Sequence, residues 1–333
     1  MKTFLERLRD PAPMLFDGGF GSQLFARGIR LTNSALANEL HPEVVVAVHA
    51  DFIRAGADAI ETNTFVASPL HLAMAECGAA GAEKLVRLAV RHARRAIEES
   101  GRPVYLAGSI GPSPGAIEAD AGGVDFGIAN AAVREAHQRV VETMAEEGVD
   151  FFCIETMFSA KEAAMAAEAA RRTGLPIAVN LTYKYTRDRR TGQEVYRTDW
   201  GHSAADLLDI LAGGEFSEGV DLLDHVQVLG INCGAEPEKA EHTGMPYAIS
   251  GVRQLRRAAE ERGLAGRRFM AYPNAGLPRL DKDRQTTHYP HSPEEMASRA
   301  GELLEAGAHL IGGCCGTTPA HIRALRAAVD RGA

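Results

Sequence analysis

Cys314 and Cys315 stand side by side in the run Leu310-Ile311-Gly312-Gly313-Cys314-Cys315-Gly316-Thr317-Thr318-Pro319. Neighbouring residues of a regular strand point to opposite faces, so two adjacent thiols reach one point only where the backbone bends. The flanking glycines permit such a bend. Two converging thiolates are a partial site for a soft, tetrahedral metal such as zinc, and they call for further ligands. Among the other cysteines, Cys77 falls in a helix or loop and Cys153 in mid-strand, whereas Cys233 ends the apolar run Val228-Leu229-Gly230-Ile231. Three thiols with an open fourth position have the layout of a catalytic zinc site, not of a closed structural one. The open position suits a thiol substrate. A free thiol of pKa near 8.5 is about 3% thiolate at pH 7, so deprotonation on a metal raises the reactive form roughly thirtyfold. The competing readings are cysteines buried as small hydrophobes and a vicinal disulfide, which a reducing compartment disfavours.

These residues need elements to hold them. Short apolar runs recur along the chain, at Met14-Leu15-Phe16, Ala59-Ile60-Glu61, Val104-Tyr105-Leu106-Ala107, Phe151-Phe152-Cys153-Ile154, Ile177-Ala178-Val179, Val228 to Ile231, Arg268-Phe269-Met270-Ala271 and His309-Leu310-Ile311. Each is followed by a segment of helical period, predicting helices over 42–55, 83–98, 129–147, 160–172, 204–211, 248–261, 293–305 and 319–330. Most close on a glycine suited to a C-cap: Gly56, Gly101, Gly148, Gly174, Gly263 and Gly307. Eight strand–helix units predict an α/β fold, a (β/α)8 TIM barrel occupying 1–333 as a single domain. The rival is a doubly wound sheet, but Leu24 stands where Gly19-Phe20-Gly21-Ser22-Gln23-Leu24 would need the third glycine of a dinucleotide turn.

In a barrel, chemistry gathers at the C-terminal ends of the strands. Those ends read Asp17-Gly18-Gly19, Glu61-Thr62-Asn63-Thr64, Ser109-Ile110-Gly111-Pro112, Glu155-Thr156, Asn180-Leu181-Thr182, Asn232-Cys233-Gly234, Asn274-Ala275-Gly276 and Cys314-Cys315-Gly316. Cys233 ends the sixth strand and the cysteine pair ends the eighth, with only the seventh between them, so the three thiols can meet on one rim.

The net charge of -8 argues against nucleic-acid binding by bulk electrostatics. No stretch approaches the roughly 18 apolar residues of a membrane helix, and the first residues carry charge where a signal peptide would be apolar. An odd count of 5 cysteines is no disulfide framework. A cytoplasmic enzyme with reduced thiols is expected.

On Asp17-Gly18-Gly19, Glu61-Thr62-Asn63-Thr64-Phe65, Glu155-Thr156, Gly230-Ile231-Asn232-Cys233 and Gly312-Gly313-Cys314-Cys315-Gly316-Thr317-Thr318-Pro319, the sequence resembles the homocysteine S-methyltransferase family. That family includes betaine–homocysteine methyltransferases, S-methylmethionine-dependent enzymes and the homocysteine module of cobalamin-dependent methionine synthases. The resemblance implies a barrel in which Cys233, Cys314 and Cys315 hold Zn2+ and the homocysteine sulfur completes the shell. It implies that Asp17, Gly18 and Gly19 receive the amino acid part of homocysteine and that Glu155 takes its ammonium. Thr62, Asn63, Ser109 and Asn232 are further contact candidates, Asn232 also as a group orienting Cys233. Each has a plainer reading: a helix cap for Asp17, a rim ion pair for Glu155, and satisfied loop backbone for the strand-tip residues.

The implied reaction is formation of methionine by attack of homocysteine thiolate on an activated methyl donor of the S-methylmethionine, S-adenosylmethionine or betaine type. Asn38-Glu39-Leu40 and Pro273-Asn274-Ala275-Gly276-Leu277-Pro278 are most similar to the methionine synthase module, which raises a separate methyl-corrinoid protein as the alternative donor. The chain ends soon after the eighth helix, from which a lone barrel fed by a small donor is expected. A methyltransferase for another thiol or selenol and a non-catalytic zinc-binding barrel are the rival functions. His288 and His291 are expected in an exposed loop, not as ligands. The polar stretch 184–199, with Tyr183, Tyr185, Tyr196 and Trp200 in or beside it, is either a solvated excursion or a donor-pocket wall whose aromatics face a cation.

Overall fold

The structure, a computed structural model, describes residues 2–78, 81–234, 240–280 and 287–332. Eight parallel strands form its centre: β1 (Met14–Leu15), β2 (Ala59–Glu61), β3 (Tyr105–Ile110), β4 (Phe151–Met157), β5 (Ile177–Leu181), β6 (Val226–Cys233), β7 (Arg268–Pro273) and β8 (Ala308–Ile311). Hydrogen-bonded neighbours run β1-β8-β7-β6-β5-β4-β3-β2. The seam between β1 and β2 is closed differently. Asp58 donates its N–H to the Leu15 carbonyl at 2.7 Å, and two carboxylates reach across: Asp58 Oδ2 accepts the Leu15 N–H at 2.8 Å and Asp17 Oδ2 accepts the Glu61 N–H at 3.0 Å. The result is the (β/α)8 barrel that the repeating pattern predicts.

Around it lie α1 (Pro42–Ala55), α2 (Ala82–Ser100), α3 (Asn130–Glu147), α4 (Ala160–Arg171), α5 (Ala204–Gly213), α6 (Gly244–Glu261), α7 (Ala300–Ala306) and α8 (Pro319–Asp330). Their apolar stripes pack on the outer strand faces, as Val45, Val48 and Phe52 of α1 do at 0% exposure. Gly56, Gly101, Gly148 and Gly307 cap their helices with left-handed φ, while Gly174 and Gly263 lie just beyond the caps Arg172 and Arg262. No helix is long and apolar enough to cross a membrane, among the described residues.

Two expectations are corrected. The segment 293–305 is not one helix but Pro293–Ser298 and Ala300–Ala306, broken where Arg299 leaves helical geometry (φ -109°, ψ 8°). The stretch 184–199 is an antiparallel hairpin, Lys184–Arg187 on Glu194–Arg197. Its Tyr196 packs edge-on against Tyr247 of α6 at 5.4 Å and Tyr185 stacks on His242 at 3.8 Å. Buried Tyr183 lies beside α6 too, its N–H bonded to the Tyr247 hydroxyl at 3.1 Å.

The barrel interior is filled by alternate strand residues, among them Met14, Phe16, Phe151, Val228, Met270, Tyr272 and Leu310. Its N-terminal end is closed by a further helix, Phe4–Arg9, started by a capping box between Thr3 and Glu6. Phe4 stacks on Phe151 with centroids 3.8 Å apart and meets Tyr105 edge-on at 5.6 Å. Arg268 on β7 donates to the Leu8 carbonyl at 2.7 Å, fastening the helix to the barrel. Phe4→Ala should cost about 3–5 kcal/mol, as for other buried aromatic truncations, read by equilibrium urea unfolding. A loss below about 1 kcal/mol would show that this helix is not part of the packed core.

Candidate functional site

The three thiols meet as the strand ends predict. The sulfurs of Cys233, Cys314 and Cys315 lie within 4.8 Å of one another, and all three are free thiols. Tetrahedral zinc with bonds of about 2.3 Å places its sulfur ligands about 3.8 Å apart, so the trio is a donor set of the right softness and spread for such an ion. No other cluster of metal-ligating side chains of this kind occurs among the described residues. His291 instead fixes its loop, its N–H on the Ala275 carbonyl at 3.1 Å, and His288 pairs in a short ladder with Arg279.

Backbone conformation makes the meeting possible, partly as the flanking glycines suggest, since Gly316 beside the cysteine pair has φ 80°. Cys233 has φ 54°, in the left-handed region that non-glycine residues rarely adopt. That swings its side chain off the regular alternation of β6. Gly312 and Gly313 show no positive φ. A Cβ on Gly312 would lie 2.8 Å from the Asp17 carbonyl oxygen, and one on Gly19 would lie 2.5 Å from the Cys314 carbonyl oxygen. These glycines therefore allow the cysteine turn and the Asp17-Gly18-Gly19 turn to touch, backbone against backbone. Thr317 locks the contact, accepting the Gly19 N–H at 3.0 Å and donating to the Cys314 carbonyl at 2.7 Å.

The thiols open into a cavity of about 480 Å³ that Gly18, Gly19, Glu61, Thr62, Asn63, Ser109, Glu155 and Tyr272 also line, with Phe20, Phe65 and Phe158 on its apolar side. Hydrogen bonds from Cys314 and Cys315 hold the Cys233 thiol well below the ordinary thiol range and raise their own.

Glu155 is held on every side. Ser109 Oγ donates to its Oε1 at 2.5 Å, and Tyr272 and Asn232 donate to Oε2 at 3.3 Å each. Burial nevertheless pushes its pKa up to about 7. Glu61 is raised further by burial and by the charges of Glu155 and Asp17, and its Oε1 is buried with no hydrogen-bond partner. Asp17 is raised by burial and by Glu155. No lysine or arginine lines this cavity among the described residues.

Each sequence-derived candidate has a defined place. Asp17 caps no helix; it sits behind the cavity, joining β1 to β2. Thr62 accepts the Ser109 N–H at 3.1 Å, and Asn63 donates to the Ser34 carbonyl and to Asn38 at 3.0 Å each, so both satisfy neighbouring structure while edging the cavity. Asn232 accepts the Thr156 N–H at 2.8 Å, supporting that residue's own left-handed φ of 55°, and its Nδ2 lies 4.0 Å from Cys314 Sγ. Sequence reasoning missed Glu61 as an inward carboxylate, although it stood at a strand end. It also missed Tyr272, hidden in an apolar run whose alternation points it inward.

Fold and rim together define a (β/α)8 barrel with a three-thiol cluster at the C-terminal ends of its strands. The homocysteine S-methyltransferase family model matches residues 14–329. A homocysteine S-methyltransferase of Escherichia coli (strain K12) is 31% identical over 332 residues, covering 94% of each chain. A methionine synthase of Mycobacterium tuberculosis is 32% identical over 335 residues, 95% of this chain but 24% of that protein. The chain thus spans about a quarter of the length of the methionine synthases it matches. The structure of an Escherichia coli homocysteine methyltransferase in a metallated form superposes with a TM-score of 0.68 at 26% identity, covering 97% of this chain and 98% of that one. The chain belongs to the homocysteine S-methyltransferase family.

The raised Glu61 has a consequence for stability. Its folded pKa lies above the ordinary value of 4.5, so its contribution is fully present below pH 4.5 and is lost as pH rises. Glu61→Gln removes that loss. The unfolding free energy of the variant, from urea titrations, should match the wild type near pH 4.5 and exceed it increasingly toward higher pH, by at most about 1.4 kcal/mol per pH unit. A constant difference across that range would refute the assignment.

Proposed function

We propose that the protein forms methionine by moving a methyl group to homocysteine from a small activated donor, at a zinc ion held by Cys233, Cys314 and Cys315. The observation that carries this reading is the adjacency, in one cavity, of three thiols and of buried carboxylates, with no lysine or arginine lining it among the described residues. When bound, zinc lowers the pKa of a thiol presented to it, making the sulfur nucleophilic at neutral pH.

The chain's own residues do the rest. Glu155 accepts the ammonium of homocysteine, a charge-assisted contact. Ser109, Tyr272 and Asn232 keep that carboxylate aimed. Gly18 and Gly19 leave backbone room beside the thiols for the rest of the amino acid. Phe20, Phe65 and Phe158 exclude water and offer aromatic faces to a cationic donor. The homocysteine thiolate attacks the methyl carbon, the bond from that carbon to the donor atom breaks, and its electron pair stays on the leaving atom. Positioning of the two reactants supplies most of the rate.

A cavity of about 480 Å³ supports direct entry of a small donor, as does the 31% identity with a relative named homocysteine S-methyltransferase. Delivery from a methyl-corrinoid protein is the second reading, favoured by the identity with methionine synthase. Purified zinc-loaded protein offered S-methylmethionine, S-adenosylmethionine or betaine should make methionine from homocysteine; silence with all three, relieved by methylcobalamin, favours the corrinoid route. Cys233→Ser should lower bound zinc measured by elemental analysis, and undiminished zinc refutes the three-thiol site. Glu155→Gln should raise the KM for homocysteine about tenfold or more, the loss of a hydrogen bond to a charged group. An unchanged KM would remove Glu155 from the binding site.

A further inference from the structure

Two successive residues at the end of β6 hold left-handed backbone, Cys233 with φ 54° and Gly234 with φ 63°. Glycine adopts this conformation readily, whereas for cysteine it is costly and must be held by its surroundings. Hydrogen bonds hold it from several directions. The Cys233 carbonyl accepts the Asn274 N–H at 3.2 Å. Gly234 donates its N–H to Thr182 Oγ1 at 3.1 Å. The Asn232 carbonyl accepts from the Tyr247 hydroxyl at 3.2 Å, and that hydroxyl in turn accepts the Tyr183 N–H at 3.1 Å. Tyr247 thus ties the residue before Cys233 to the chain leaving β5.

The Tyr247 ring acts on the residue after Cys233. A Cβ on Gly234 would lie 2.2 Å from two carbons of this ring, so the ring fills the space where a side chain would stand. The ring is itself buried, and the hairpin Lys184–Arg187 on Glu194–Arg197 supplies part of its cover. Tyr196 meets it edge-on with centroids 5.4 Å apart. The hairpin is fastened in turn: the Tyr196 N–H donates to Gln254 Oε1 of α6 at 3.1 Å, and the Tyr196 hydroxyl lies 2.8 Å from His242 Nδ1.

We propose that Tyr247 is a positioning residue for Cys233 and that the hairpin braces it: hydroxyl and ring fix the turn that carries this sulfur to Cys314 and Cys315, and so set how tightly the trio binds a thiophilic metal ion. This role rests on the three-thiol metal site proposed above and adds to it the group that assembles the trio. Cys314 and Cys315 are neighbours on one turn, so the chain itself keeps them close. Cys233 arrives from another strand, and its sulfur meets theirs through the left-handed turn. A turn free to relax to extended backbone would return the thiol to the alternation of β6 and leave the ion with two protein sulfurs.

Zinc affinity of the metal-free protein, by competition with a chromophoric chelator, tests this in wild type, Tyr247→Phe, Thr182→Val and Tyr196→Ala. Tyr105→Phe is the control, because the Tyr105 hydroxyl bonds the Lys2 carbonyl, at 2.8 Å, at the other end of the barrel. Tyr247→Phe keeps the ring and should bind zinc about tenfold or more weakly, as when a group orienting a metal ligand is removed. Thr182→Val and Tyr196→Ala should weaken binding in the same direction, and Tyr105→Phe should match wild type. Loaded with cobalt(II), Tyr247→Phe should show weaker thiolate-to-metal charge-transfer absorbance than wild type, a signature that a general loss of stability does not move. Should Tyr247→Phe not fold, Thr182→Val carries the same two readouts. Wild-type affinity and absorbance in Tyr247→Phe would overturn the positioning role and leave the three-thiol reading standing. Equal weakening by Tyr105→Phe would overturn it too. Wild-type affinity in Tyr196→Ala would overturn the bracing by the hairpin. A wild type that binds no zinc overturns the three-thiol reading itself and the role of Tyr247 with it.

Discussion

The end of β7 sets the geometry on which the site depends. Asn274 donates its N–H to the Cys233 carbonyl at 3.2 Å, Cys314 donates to the Pro273 carbonyl at 2.9 Å, and Ala275 donates to the Cys315 carbonyl at 2.9 Å. Three consecutive residues thus hold the tails of β6 and β8 at fixed separation, one on each side. Strands two apart in a sheet lie about 9.5 Å from each other, too far for thiols to share one point by strand geometry alone. The positive φ of Cys233 turns one sulfur inward across that gap. The backbone of Pro273, Asn274 and Ala275 keeps the other two in reach.

Around this rim the protein accepts local cost. Thr156 and Cys233 both hold left-handed φ without being glycine, each at a cost on the order of 1 kcal/mol or more. Glu61, Asp17 and Glu155 share one desolvated layer with like charge. Such cost is tolerable because the interior below is fully packed, from Phe4 through Phe151 and Met270 to Leu310. A ligand that brings a positive charge to the rim relieves part of it. Binding and stability are therefore coupled through the same carboxylates.

How much of this was legible in the sequence follows from the range of each interaction. Strands and most helices were legible because their apolar residues recur with the period of the element and glycines mark the ends. The three cysteines were legible because a parallel barrel maps strand ends onto one rim. The break at Arg299 was not, since the apolar spacing of Met296, Ala300 and Leu303 continues through it. The hairpin at 184–197 was hidden because its charged residues read as a loop, while the ring contacts of Tyr185 and Tyr196 are with His242 and Tyr247, distant in sequence. Left-handed φ at Cys233 and Thr156 leaves no local signature at all, being set by the Asn232 side chain and by β7. The resemblance to a family named the acidic partner Glu155 but not Tyr272 or Glu61, whose roles arise from contacts across the barrel.

The helix Phe4–Arg9 stops the barrel at its N-terminal end, the end away from the thiols. The strands are thereby braced from below by Arg268 and by the stack of Phe4 on Phe151, while their other ends open into the rim cavity. A barrel pinned at its base can carry a strained rim at its top.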